Sequence, residues 1–420
     1  MPTDDTLIAA TVRAAVPLVV AALARRYGNL ADSEDAVQEA LAEAAVAWSR
    51  TGLPDDPRAW LLTVARRRYI DAVRSDAARR DREERDAALD LRDEGAASAR
   101  DDSLALFALC CHPALEPTTQ VALTLRTVGG LTTAQIASAF YATEAAMTRR
   151  LSRAKRTIDD AGRRFGSLDA AELAARADAV RSTLYLMFTQ GHAPSDGELP
   201  VHAELTAEAI RLTRMLHDAL PADTQTTALL ALLLLTDART PARTDADGLP
   251  VPLALQDRGL WRDDQLVEGR ALAAAALADG VATPMHVQAA LAAVHAAAST
   301  AADTDWPQLV GLYDVLVRLQ PGPASWLGRA AAIGMARGPL AGLAELAELE
   351  RDERLAGGHR LPSVRAGLLE RAGATAAARA AYALAASRAS NSSERRWLAT
   401  QAERLTDPST DRPTPGEGAS

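Results

Sequence analysis

The side chains capable of covalent or acid–base chemistry in this 420-residue sequence are few and scattered. Histidines stand at 112, 192, 202, 217, 286, 295 and 359, none at a motif spacing from a cysteine or carboxylate. There is no His-Glu-x-x-His helix and no glycine-rich phosphate loop, and no second ligand pair accompanies the adjacent Cys110 and Cys111 at zinc spacing. Adjacent cysteines are poorly placed for a disulfide, so they read as buried thiols in a reducing cytoplasm. Asp303, Asp305, Trp306 and Gln308 open a helix, and their simplest reading is a cap with the indole packed beneath it. The sequence thus predicts no catalytic set, no metal and no cofactor, and the chain is expected not to be an enzyme. Its chemistry is recognition. Between Leu131 and Ile158, Glu144 stands at a helix start, where the dipole favours an acid, and Thr148, Arg149, Ser152, Arg153 and Arg156 follow on the polar face. That combination suits phosphates and base edges.

The elements that must position this surface are legible. Met147, Leu151, Ala154 and Ile158 recur at helical spacing as one apolar stripe. Thr143 is a good N-cap for their helix. A shorter helix precedes it, with Leu131, Ile136, Ala137 and Phe140 turned inward. The turn between them holds Phe140, Tyr141 and Ala142, where Gly is more usual. From Arg126 to Arg164 there are eight basic residues against three acidic, in a chain of net charge −9. This is the helix-turn-helix pattern, with the second helix offered to a major groove. The acidic balance of the whole chain confines any DNA contact to local patches.

Upstream lie three more helical patterns. In the first, Val12, Val16, Val19, Val20 and Leu23 share a face, and Gly28 and Asn29 end it. The second, capped by Asp32 or Ser33, has an apolar stripe of Val37, Ala40, Leu41, Ala44 and Trp48. Its other face carries Asp35, Gln38, Glu39 and Glu43. The third starts with Asp56 as cap and Pro57 at its first position, and Leu61, Val64, Ala65 and Ala72 bury one side. Trp60, Arg66, Arg67, Arg68, Tyr69 and Arg74 crowd the rest. An acidic helix followed by a basic, aromatic one fits two accounts: two amphipathic helices in a bundle, each with a solvated face, or two binding surfaces, one for a basic protein and one for nucleic acid.

The fold class is all-α, since helix formers dominate and β-branched runs are scarce. No apolar run reaches membrane-spanning length, and Leu229 to Leu235 reads as a buried helix. The expected domains are 1–78, a charged linker over 79–102, the helix-turn-helix domain over 103–166, a helical extension over 167–405 and a disordered tail over 406–420. Within the extension, the segments starting at Arg329 and Arg365 align with an offset of 36. That is near the tetratricopeptide period of about 34.

The segments DSEDAVQEALAEAAVAW and PRAWLLTVARRRYIDAVR, followed by a charged linker and the helix-turn-helix, resemble a bacterial RNA polymerase sigma factor of the extracytoplasmic-function (ECF) type. CCHPAL, VALTLRTVGGLTTAQIASAF, YLMFTQGH, DRGLW and DTDWPQLVGLYDVL resemble the subgroup with a tetratricopeptide-like C-terminal extension, which usually lacks a dedicated anti-sigma partner. The resemblance implies that Asp35, Gln38 and Glu39 dock on core RNA polymerase. It implies that Trp60, Arg66, Arg67, Arg68, Tyr69 and Arg74 recognise and melt promoter DNA. Glu144, Thr148, Arg149, Ser152, Arg153 and Arg156 would read the more distant promoter element. The extension would modulate this activity and take a protein or ligand in its concave groove. The rival readings are a helix-turn-helix regulator with a helical sensor domain, acting without polymerase, and a helical-repeat interaction protein.

Overall fold

The computed structural model describes residues 4–27, 29–80, 103–129, 131–140, 142–160, 170–192, 203–278, 280 and 282–406. These form α-helices joined by turns and three short 3-10 segments, and no strand occurs among the described residues. The chain divides into two compact units, one of residues 1–187 with 218–220 and one of 188–217 with 221–420.

The first unit opens with α1 (Asp4–Tyr27), α2 (Leu30–Thr51) and α3 (Pro57–Arg80), each packed on the other two. Val16, Val19, Val20 and Leu23 of α1 are buried, as are Val37, Ala40, Ala44 and Trp48 of α2. Asn29 does not end α1. It caps α2, its side chain accepting from the Asp32 amide. A side-chain oxygen there satisfies one of the unpaired amides of a helix start. Asp56 does the same for α3, accepting from the Ala59 amide at 2.9 Å. Ala72, expected inside, is exposed, so the buried face of α3 is Leu61, Ala65 and Tyr69.

Then come α4 (Ser103–Cys110), α5 (Pro117–Thr127), α6 (Thr133–Ala139) and α7 (Glu144–Asp160). Both cysteines are fully buried among them. Gly129 closes α5, its amide donating to the Thr124 carbonyl, and a Cβ there would come within 2.9 Å of the Leu125 carbonyl oxygen. Thr132 and Gln135 cap α6 reciprocally. The turn that lacks Gly is closed by the Ala142 amide donating to the Ala137 carbonyl at 2.9 Å. Tyr141 lies outside the described residues, as do the linker over 81–102, Gly166 and the tail from 407. The helix α8 (Ala170–His192) begins in this unit. Its Thr183 hydroxyl donates to Oε1 of the buried Gln120, whose amide nitrogen donates to the carbonyls of His112 and Leu115.

The second unit contains α9 (Ala203–Ala219, in its greater part), α10 (Thr224–Asp237), α11 (Asp263–Ala276), α12 (Pro284–Ala297), α13 (Trp306–Leu319), α14 (Pro323–Arg337) and α15 (Pro339–Leu349). It closes with α16 (Glu353–Ala356), α17 (Arg360–Arg371), α18 (Thr375–Arg388) and α19 (Ser392–Arg404). Its cores follow one another along the chain: Ala231, Leu235, Ala273 and Ala289, then Leu291, Leu309, Val310 and Ile333, then Leu327, Leu346 and Leu368, then Tyr382, Ala385 and Leu398. Each core is built by helices near in sequence, the arrangement of a stacked array. The two segments that align at an offset of 36 form the hairpins α14–α15 and α17–α18. Gly334 and Gly342 bring α14 and α15 together, since a Cβ at Gly342 would stand 2.8 Å from the Gly334 Cα. Asp305 caps α13, accepting from the Gln308 amide, while Asp303 accepts from Thr300 and Trp306 packs its ring edge-on with His295. That cluster is the helix cap expected of it.

Candidate promoter and polymerase interface

The α7 surface is sorted by helical phase. Met147, Leu151, Ala154 and Ile158 are all buried, none more than 5% exposed. Glu144, Thr148, Arg149, Ser152, Arg153 and Arg156 are all exposed. Thr143 caps the helix, its hydroxyl oxygen accepting from the Ala146 amide at 3.2 Å. Among the described residues no ion pair engages Arg149, Arg153 or Arg156, so these cations are presented to solvent as a set.

On α2, Asp35 and Glu39 are exposed and Gln38 is half-buried. The acidic face is partly shared with α3. Arg68 reaches back to Glu43 at 2.7 Å and to Glu39 at 3.8 Å, and Arg67 approaches Glu43 at 3.5 Å. The hydrogen bond and charge of Glu43 hold the Arg68 guanidinium above its usual pKa. Exposed pairs of this kind add little to stability, but they fix where the side chains point.

The basic, aromatic set expected on α3 is therefore not one surface. Tyr69 is 7% exposed and stacks on Tyr27 with ring centroids 4.2 Å apart. Burial first, then the charge of Asp32, pushes its phenol up to about 12. Tyr69 belongs to the core, and its ring is not offered to a base in this structure. Trp60 is half-buried, edge-on to the buried Trp48 at 5.4 Å. Arg66 is half-buried, whereas Arg67 and Arg74 are exposed with Thr63 and Asp71 on the outer face.

A contact that composition did not reveal joins the two domains of this unit. Glu34 of α2 is 3% exposed, within a run of acids that resembled a solvated face. Arg126 of α5 donates from Nε to Glu34 Oε1 at 2.8 Å, and Lys155 of α7 stands 2.9 Å from Oε2. The lysine contact is ionic, off the direction of an aligned hydrogen bond. Arg126 also donates to the Leu131 carbonyl, tying the same side chain to the entry of α6. One signal was available beforehand: Lys155 is the only lysine in a sequence with 46 Lys and Arg.

Comparison with known proteins bears on these surfaces. Residues 11–79 match the model of sigma-70 region 2, and residues 108–158 match that of sigma-70 region 4. Residues 176–277 match a family of unknown function, DUF6596. An uncharacterized protein of Rhizobium meliloti is 40% identical over 412 residues, covering 96% of this chain and 97% of that protein. The ECF RNA polymerase sigma factor SigJ of Mycobacterium tuberculosis is 34% identical over 145 residues, 32% of this chain and 44% of SigJ. The chain belongs to one family with the Rhizobium protein and carries the two sigma-70 domains of an ECF-type sigma factor. No solved structure matches it.

The region 2 match covers α2 and α3 almost entirely, and the region 4 match ends at Ile158 on α7. Sigma-factor domains of these two kinds bind core RNA polymerase and promoter DNA, so both surfaces lie on the parts of the chain that carry sigma-factor function. The DUF6596 match starts on α8, whose Thr183 bonds the region 4 domain. No described helix is long and apolar enough to cross a membrane.

Proposed function

We propose that this chain directs core RNA polymerase to its promoters, with α2 as the polymerase contact and α3 and α7 as the two DNA contacts. The observation that carries this is the exposed face of α7, whose guanidinium groups have no acidic partner among the described residues while the opposite stripe is buried. Its basic character suits the phosphate backbone, and a helix with its opposite stripe buried can be laid into a groove without unfolding its domain. Asp35, Gln38 and Glu39 suit a basic coiled-coil surface on polymerase. On α3, Arg67 and Arg74 take phosphates, and Trp60 is the aromatic nearest to solvent. Promoter melting is assigned to this helix, with Tyr69 supporting its shape.

The helical extension controls the sigma module in cis. Two features support this reading: α8 continues from the first unit into the second, and Thr183 satisfies the buried Gln120. Short covalent tethers give effective concentrations near millimolar, so even weak docking acts. The extension is required for activity rather than merely masking. The experiment is run-off transcription with purified core polymerase on genomic fragments, using the full chain and truncations ending near residues 192, 260 and 405. The full chain should co-elute with core polymerase at low salt and support transcription, and the cuts at 192 and 260 should abolish it. Operator binding without polymerase, and no co-elution, would favour a plain helix-turn-helix regulator.

A further inference from the structure

The segment following α10 gathers positive charge in the second unit. Arg239 comes just after the helix, and Arg243 and Arg258 lie on the loop leading to α11. Two histidines face them from helix ends, His192 at the terminus of α8 and His295 near that of α12. Arg243 donates to the His192 carbonyl at 2.9 Å and also contacts the ring at Nε2. Arg258 donates to the carbonyls of His295 and Ala298 at 2.9 and 2.6 Å, and lies over the Trp261 ring. These two arginines thus occupy helix C-termini, where free carbonyls and the helix dipole favour cations.

Arg239 has no such partner. Its Nε is buried without an acceptor, and no hydrogen bond or ion pair joins its side chain to a described residue. Asp237, two positions earlier, is already held by Arg262, Gln265 and Thr240. The charge of Asp303 opposes the effect of burial on Arg258. Because His192 receives Arg243 at Nε2, its ring proton sits on Nδ1, which is also buried without a partner. Burial, then the charges of Arg243 and Arg258, lowers the Arg239 pKa to about 10. Burial, then Arg239 and Arg258, lowers His295 to about 4, and His192 is depressed by burial, Arg243 and Arg239. The histidines are therefore neutral near pH 7 and the arginines carry the charge. Arg239 is half-buried and its guanidinium has no acidic partner among the described residues, so part of its desolvation goes uncompensated.

We propose that Arg239, with Arg243 and His192, forms a binding site for a small phosphate-bearing anion. The unsatisfied groups are N–H donors, so the missing partner is an acceptor. They come from separate elements, the end of α10 and the end of α8. A phosphate, with oxygens on every side, can meet donors from several directions, whereas a planar carboxylate offers one fork. The site falls within the stretch matched by the family of unknown function, with Arg239 and Arg243 between residues 176 and 277. It gives the extension a ligand class, and it stands whether or not the extension governs transcription.

The test uses the full chain, with inorganic phosphate, glycerol phosphate and citrate titrated by calorimetry and thermal unfolding at ionic strength held constant with sodium chloride. Phosphate should bind saturably and raise the Tm by about 5–10 °C at a hundredfold excess over Kd. Tighter binding of glycerol phosphate would assign the site to an organic phosphomonoester, and equal or weaker binding to the free ion. Arg239→Gln should lose the response and, without ligand, melt at or above the parental Tm, because an unpaired cation has gone. Arg239→Lys, which keeps charge but not the fork, should bind at least tenfold more weakly. No saturable binding of either phosphate by the unmodified chain, or binding of citrate alone, overturns the proposal. So does a Gln variant that melts lower yet still responds to phosphate, since Arg239 would then be structural.

Discussion

Lys155 Nζ stands 2.9 Å from Glu34 Oε2, so the only lysine in the chain ties α7, in the region 4 match, to α2, in the region 2 match. Arg149, Arg153, Asp35 and Glu39 stay exposed while it is made. It therefore governs how the two sigma domains are held, not whether each can be reached.

Glu34→Gln should loosen that hold. The substitution leaves Arg126 and Lys155, with side chains 17% and 15% exposed, without their shared anion. Breaking a pair this well buried costs about 3 kcal/mol. Hydrogen exchange in α5 and α7 should accelerate by roughly a hundredfold. If exchange in those helices is unchanged, the trio does not couple the domains. Adding Lys155→Gln should cost less in this background than in the parent, which a double-mutant cycle would record.

The cysteines should be silent toward thiol reagents. Burial pushes the Cys111 thiol up to about 12 and Cys110 well above its ordinary value, and the thiolate is the reactive form. A disulfide-exchange reagent at pH 8 should label neither residue in the folded chain and both in denaturant. Fast labelling of the native protein would place them elsewhere than the core.

Asp35→Ala combined with Glu39→Ala should lower affinity for core polymerase by roughly tenfold or more with unchanged circular dichroism, through lost charge complementarity. Glu39 contributes to the Arg68 contact only at 3.8 Å, so Glu43 should still hold that arginine. An unfolded double variant would make these residues structural.

Arg149 lies in the second turn of α7 and Arg153 one turn further on. Residues near the start of a recognition helix reach base edges, and later ones meet phosphates. Arg149→Ala should therefore cost ~1–3 kcal/mol at particular base pairs, and Arg153→Ala should weaken all promoters about equally. A panel of promoter mutants in which both variants behave alike contradicts the assignment.

Tyr69→Ala should destabilise the region 2 domain by about 3–5 kcal/mol, as for other large buried rings, while Tyr69→Phe keeps both fold and promoter opening. The raised phenol pKa adds a pH signature. The folded state favours the neutral ring, so its contribution is full below about pH 10 and is lost as pH rises toward 12. Urea midpoints measured across that range should fall more for the parent than for the Phe variant.

The buried stripe of α7 and the caps at Asp56, Thr143 and Asp305 were legible, because helical period and capping preference are local properties of sequence. The α3 set was not. A period assigns residues to a face, but it does not say that Arg68 will turn toward Glu43 or that Tyr27 will cover Tyr69. Glu34 was hidden for the same reason. Its partner Arg126 is 92 positions away, and an acid inside an acidic run looks solvated until the second domain covers it. Gly-Asn commonly follows a helix and so suggests a stop, yet the next helix begins one residue after Asn29 and takes it as a cap.

A chain with one ε-amine carries its own reporter. The Lys155 side chain is 15% exposed beside Glu34, and its acylation by an amine-directed reagent should speed up when the two sigma domains part. The extent of modification at that single residue, followed by mass spectrometry in the free protein, on polymerase and on promoter DNA, would clock their separation without any engineered label.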